Sequence, residues 1–236
     1  MSKALTIARR ELGTYFNSPI AYIVITVFLL FSGFMFFSQL FLENNADLRP
    51  FFGWAPLALT FFAPAITMRL LAEERGQGTF ELLATLPLTD WQVVIGKFLG
   101  AVGLLGVALG LTLAYPITVS SFGQLDKGPV IGGYLGLVLM GGSYLSIGLL
   151  ASSWTRSQIV AFILAWGISF SLFILGRLAV LAPKVLQPFL EFISLDTHFQ
   201  NIARGVVDTR DLLYYGSLIL GCLTAATYSL ESRKWR

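Results

Sequence analysis

Residues 20–42 read IAYIVITVFLLFSGFMFFSQLFL, a run with no acidic or basic side chain. The hydrocarbon core of a bilayer is crossed by about 20 apolar helical residues, so this run predicts a membrane-spanning helix. Working outward, the charged residues cut the chain into five further runs of similar length, at about 51–70, 98–122, 130–154, 158–181 and 212–230. The alternating pattern of a transmembrane β-strand is absent from them. The expected fold is therefore all-α and integral to the membrane: six transmembrane helices in a single domain over residues 1–236.

Composition agrees. The chain has 236 residues, of which 56 % are hydrophobic and only 12 % charged; its mean hydropathy is +0.74. A soluble domain is about a quarter charged, so lipid has to be the main solvent. Disorder is excluded by the aliphatic and aromatic content. A disulfide scaffold is excluded by the single cysteine, Cys222. The net charge of +3 comes without a basic stripe interleaved with aromatics, so nucleic acid is not an expected partner.

Six spans put both termini on one side. That side carries ten Lys and Arg residues, from Lys3, Arg9 and Arg10 to Arg233, Lys234 and Arg236, against six on the other. The positive-inside rule then predicts cytoplasmic termini. The first run is too long for a signal-peptide core, and Glu43-Asn44-Asn45 is not a small-residue cleavage site. In residues 1–18, Leu5, Ala8, Leu12 and Phe16 recur at helical spacing. This predicts an interfacial helix ending at Asn17-Ser18-Pro19, with a frayed basic leader as the alternative. Gly96/Gly100, Gly106/Gly110 and Gly132/Gly136 have the small-xxx-small spacing at which helix backbones approach closely.

Chemistry-bearing groups are sparse. A single histidine, His198, and a single cysteine make no metal cluster, and no catalytic set is evident. No stretch matches a P-loop, so any ATP has to be bound by another chain. Arg177 lies in an apolar neighbourhood and is expected to snorkel to the interface. Residues 182–211 predict an amphipathic outer segment between spans five and six, with Val185, Leu186, Phe189, Leu190 and Ile193 on its apolar face. Thr60, Phe61, Phe62 and Pro64 in the second span, with Ser169, Phe170 and Phe173 in the fifth, are candidate linings of a pathway.

The connection between the second and third spans, residues 69–97, carries the most information. Gly76 and Gly78 end one helix; Thr79 is an N-cap or first-turn residue of a short apolar helix through Phe80, Leu82, Leu83 and Leu86 that stops at Pro87. Thr89 or Asp90 then caps the helix that rises into the third span. An apolar helix held at the membrane surface needs something to dock into.

The stretch EERGQGTFELLATLPLTDWQVVIGK, residues 73–97, resembles the signature of ABC-2 type ABC transporter permease subunits. Residues 194–215, with Ser194-Leu195-Asp196, His198-Phe199, Arg204-Gly205-Val206-Val207-Asp208, Asp211 and Tyr214-Tyr215, resemble the loop before the last span in the gliding-motility permease branch, and next the copper-processing (nitrous oxide reductase maturation) permease branch. The resemblance implies that residues 79–87 form a cytoplasmic coupling helix. It would seat in a separate ATPase subunit, with Phe80, Leu82, Leu83 and Leu86 as buried anchors, Glu73, Glu74, Arg75 and Glu81 as ionic contacts or orienters, and Gly78 and Pro87 fixing its ends. It implies two ATPase subunits holding ATP and Mg, a second permease half (identical or different), an accessory membrane protein with a large outer domain, and the cytoplasmic (inner) membrane of a bacterium. Membrane lipid is the further expected partner. The chain itself would hold no cofactor or metal. The alternative is a non-transporting scaffold that the same ATPase drives mechanically.

Overall fold

The computed structural model describes residues 3–43, 47–78, 88–122 and 126–232. Among them the chain is helical throughout, with no strand: α1 Lys3–Phe16, α2 Pro19–Glu43, α3 Arg49–Thr67, α4 Ala72–Gly76, α5 Asp90–Leu111, α6 Ala114–Phe122, α7 Lys127–Trp154, α8 Gln158–Ala179, α9 Gln187–Ile193, α10 Leu195–Ala203 and α11 Thr209–Glu231. Six stretches are long and apolar enough to cross a membrane: Pro19–Phe41, Arg49–Gly76, Asp90–Ser121, Lys127–Trp154, Gln158–Ala179 and Thr209–Glu231. They coincide with the six runs expected.

α7 is the centre of the bundle. It packs against α3, α5, α8, α10 and α11 and is apolar all round, as a helix enclosed by others has to be. Its glycines make room for these neighbours. A β-carbon at Gly136 would stand 2.9 Å from the Phe199 ring, one at Gly141 would stand 2.6 Å from Leu105, and one at Gly132 would overlap the Ile202 carbonyl. The Gly132/Gly136 pair is therefore a packing notch for α10. The outward faces of α2, α8 and α11 expose Leu30, Phe34, Ile159, Ile163, Leu213 and Leu220, surface that water would penalise and lipid does not.

The third span is carried by a helix, α5, that begins at Asp90, where a cap at Thr89 or Asp90 is expected, and that breaks at 112–113 before α6. At that break the Tyr134 hydroxyl donates to the Thr112 carbonyl at 2.9 Å. α1 exists and packs with three of its four expected residues: Ala8 is buried and Leu12 and Phe16 lie against the core, while Leu5 is exposed. Ile7, Glu11 and Tyr15 also turn inward. The reason is close approach along α5. A β-carbon at Gly96 would lie 2.6 Å from Ile7, one at Gly100 would lie 2.8 Å from Glu11, and one at Gly103 would lie 3.2 Å from Leu12. Gly106 and Gly110 meet nothing within 4 Å, so that pair is not a packing notch within this chain.

Candidate functional site

The site is built around the two ends of residues 79–87. α3 contains Pro56 and Pro64 and stops at Thr67, and four residues of turn lead to α4. Backbone groups freed by that turn find partners on other helices. The Leu71 and Ala72 amides donate to the Ser152 hydroxyl at 3.1 and 2.9 Å, and this hydroxyl donates to the Met68 carbonyl at 3.1 Å. The Tyr15 hydroxyl of α1 donates to the Ile66 carbonyl at 2.7 Å. Burial pushes the Tyr15 phenol far above its usual range, and the nearby Glu11 pushes the same way, so it stays a neutral donor.

Beyond the turn, charges hold α4. Arg69 Nε lies 3.0 Å from Glu73 Oε2, one helical turn away. The Arg75 guanidinium donates to the Ser153 carbonyl. A β-carbon at Gly76 would stand 3.0 Å from the Arg156 carbonyl. Gly78 has φ +73, a left-handed conformation that glycine adopts without strain. On the far side of 79–87, Thr89 is the N-cap, not Asp90. Thr89 Oγ1 accepts from the Gln92 amide and Gln92 Oε1 accepts from the Thr89 amide, both at 3.3 Å, a capping box.

Lys97 joins these parts. Its side chain is 2 % exposed, and its Nζ donates to Glu74 Oε1 at 2.6 Å and to Glu11 Oε1 at 3.0 Å. A buried ammonium needs such compensation. Glu74 precedes 79–87, Lys97 follows it and Glu11 sits on α1, so one ammonium ties three elements together. The adjoining cavity, about 180 Å³, has Arg10, Arg69 and Lys97 facing Glu11, Glu73 and Glu74 in its lining, so its charges cancel.

Of the residues expected at the coupling site, Glu73, Glu74 and Arg75 thus have partners inside the chain. Thr79, Phe80, Glu81, Leu82, Leu83, Leu86 and Pro87 lie outside the described residues. The sequence reading missed Glu11, Tyr15, Lys97 and Ser152. A lysine in the second turn of an apolar helix was the available signal for Lys97; nothing local marked the others.

The candidate pathway residues divide. Thr60 and Pro64 on α3 and Ser169 and Phe173 on α8 are buried, and the two helices pack directly on each other. Thr60 Oγ1 donates to the Leu57 carbonyl at 2.7 Å, and Ser169 Oγ is buried without a partner among the described residues. Phe61 is exposed, edge-on to Phe162 at 5.2 Å. Phe62 packs edge-on to Phe28 at 5.1 Å, and Phe170 stacks on Trp166 at 5.6 Å.

At the opposite end of the bundle, α10 is the docked half of residues 182–211. It buries Leu195, Asp196, His198, Phe199 and Ile202, whereas α9 buries none of its residues. Val185, Leu186 and Phe189 of the expected apolar face lie exposed at the surface of the chain, as an amphipathic outer segment leaves them. Docking is decided by side chains that pair with the spans. His198 Nδ1 lies 2.6 Å from Asp211 Oδ1, and its Nε2 lies 3.0 Å from the Phe192 carbonyl, which can only accept. Tyr215 Oη donates to the Leu195 carbonyl at 2.8 Å. Arg177 does not simply snorkel. Its Nε lies 3.3 Å from Asp196 Oδ2, and its guanidinium covers the Phe173 ring at 4.9 Å. Gln200 also donates to Asp196, at 2.8 Å. Burial pushes the Asp196 carboxyl above the usual carboxylate range, with Arg177 and Gln200 opposing. Among the described residues no group of His, Cys, Asp and Glu is placed to hold a metal.

Six apolar helical stretches, one of them the central helix, define a multi-pass membrane protein. Residues 44–233 match the family described as ABC-2 family transporter protein, and the chain belongs to that family. It is 29 % identical over 183 residues to the probable multidrug ABC transporter permease YbhR of Escherichia coli (strain K12), and equally to that of Escherichia coli O157:H7. Each match covers 72 % of this chain and 47 % of the relative, so the chain spans about half the length of these relatives.

Proposed function

We propose that this chain is the transmembrane half of an ATP-driven exporter, in which a separate ATPase supplies the energy and residues 79–87 receive it. Family membership supports the transport class. The observation that carries the coupling role is the Glu74–Lys97–Glu11 cluster, which ties both flanks of 79–87 to α1. A push on that segment reaches α4, α5 and α1 together. ATP and Mg belong to the ATPase, two copies of which would serve two permease halves in the inner membrane of a bacterium, termini inward. The exposed aromatics Phe61 on α3 and Trp166 on α8 suit the second half as a packing partner. The name of the relatives suggests hydrophobic cargo. Placement in the gliding-motility branch, with its accessory outer-domain protein, rests on residues 194–215 alone.

The test is purification in gentle detergent followed by mass spectrometry. The wild-type chain is expected to carry an ABC ATPase, and Leu83→Asp to insert normally but lose it. Retention of the ATPase by Leu83→Asp removes the coupling role of 79–87. A second reading, mechanical transmission without cargo, draws on the direct packing of α3 on α8. ATP-dependent export by the reconstituted complex would eliminate it.

A further inference from the structure

The end of the bundle opposite residues 79–87 holds a cavity of about 420 Å³ that the coupling role does not use. Arg49, Arg177 and Arg204 line it with a single carboxylate, Asp196, and its walls include Phe52, Pro129, Phe199 and Ala203. Three guanidiniums against one carboxylate leave two positive charges unmatched within the lining. Asp196 does not cancel the field but orders it: it holds Arg177 by Nε, Phe173 supports the guanidinium from below, and Gln200 fixes the carboxylate. The Arg204 side chain has no ion pair or hydrogen bond with any described residue; the Arg49 guanidinium has only Asp47, at 3.5 Å and largely exposed.

We propose that this cavity binds the anionic headgroup of a membrane lipid, its phosphoryl oxygens held by Arg49, Arg177 and Arg204. Guanidinium forks match tetrahedral oxyanions, and basic pockets between spans suit anionic headgroups. The volume lies in the range of small-ligand sites. The lipid, and not a free anion, is indicated by the surface beside it. The chain leaving Arg177 exposes Val180, Leu181, Val185, Phe189 and Phe192, and Trp54 is exposed next to Gly53 of the cavity wall. Acyl chains can lie on such surface while the headgroup is held. The proposal is independent of the exporter reading, since an ATPase can be lost or kept without touching these residues.

The test uses the purified full chain in detergent, with native mass spectrometry of bound phosphatidylglycerol and of phosphatidylcholine with the same acyl chains. Phosphatidylglycerol is expected to be retained in preference. Arg49→Ala/Arg204→Ala is expected to weaken its binding about tenfold, and Arg204→Gln alone about threefold. Lys184→Ala, which removes an exposed cation outside the cavity, is expected to leave it unchanged. Arg204→Gln disturbs no internal contact and so reads the site even if the double variant does not fold. Equal retention of the two lipids, an unchanged Arg204→Gln variant, or an equal loss in Lys184→Ala overturns the proposal. Inorganic phosphate bound as tightly as phosphatidylglycerol would assign the cavity to a soluble anion and overturn the lipid.

Discussion

The two ends of the helical bundle use charge in opposite ways. Around residues 79–87, three cations meet three carboxylates and the cavity is balanced; its most buried charge, Lys97, is held by two glutamates from separate elements. At the far end, three arginines meet one aspartate and the cavity keeps a surplus. A balanced cluster fixes elements relative to one another. A surplus leaves electrostatic attraction for something not in the chain. The lesson is that stability and recognition can be read separately from whether a charge cluster closes on itself.

The comparison breaks hardest at Lys97. Lys97→Met removes the ammonium that Glu11 and Glu74 share, and removing one partner of a buried ionic group destabilises by about 3–5 kcal/mol. The expected outcome is a large drop in the thermal unfolding midpoint in detergent. Lys97→Met/Glu11→Gln/Glu74→Gln should recover much of the drop, and no recovery would mean that the aliphatic stem of Lys97 mattered, not its charge. Next comes the fit beneath that cluster. Gly96→Val drives branched carbons into Ile7, and overpacking of this kind costs about 1–3 kcal/mol. Faster hydrogen exchange across residues 3–16 is the expected sign that α1 has lifted from α5.

At the other end the effects are smaller. The folded Asp196 carboxyl sits above its unfolded value of about 3.9, so the native state binds its proton more readily than the unfolded chain does. Its contribution to stability is then fully present below the unfolded value and lost as pH rises through the raised folded one. Asp196→Asn removes that slope. Between pH 7 and pH 4 the wild type should gain stability relative to the variant; a relative loss on acidification would show that the Arg177 pairing outweighs burial. Smallest of all, Arg204→Gln should change the unfolding midpoint by no more than about 0.5 kcal/mol equivalent, while still altering lipid retention.

The bundle was legible because a single long-range fact, the hydrocarbon thickness, sets every span, and the charged residues punctuate the chain accordingly. All six spans were located from that alone. Partnerships across sequence were not legible. Lys97 and Glu11 are far apart in the chain, and no periodicity links them. The apolar stripe of α1 showed Ala8, Leu12 and Phe16, but Glu11 and Tyr15 turn inward because of glycines and polar partners on other helices. The apolar face of 185–193 was legible, but the docking of α10 was not, because it runs through Asp196 and His198, whose partners Arg177 and Asp211 lie on the flanking spans. Arg177 was noticed for its awkward position, but its neighbours came only with the fold.

Ser152 offers a last consequence. In an uninterrupted helix the Leu71 and Ala72 amides would return to the carbonyls of Thr67 and Met68; here a single hydroxyl from α7 stands in for both and occupies Met68. Ser152→Ala would take that partner from both amides and from the Met68 carbonyl, and each buried group left unpaired costs about 1–3 kcal/mol. The break between α3 and α4 is thus fastened by one side chain of the central helix.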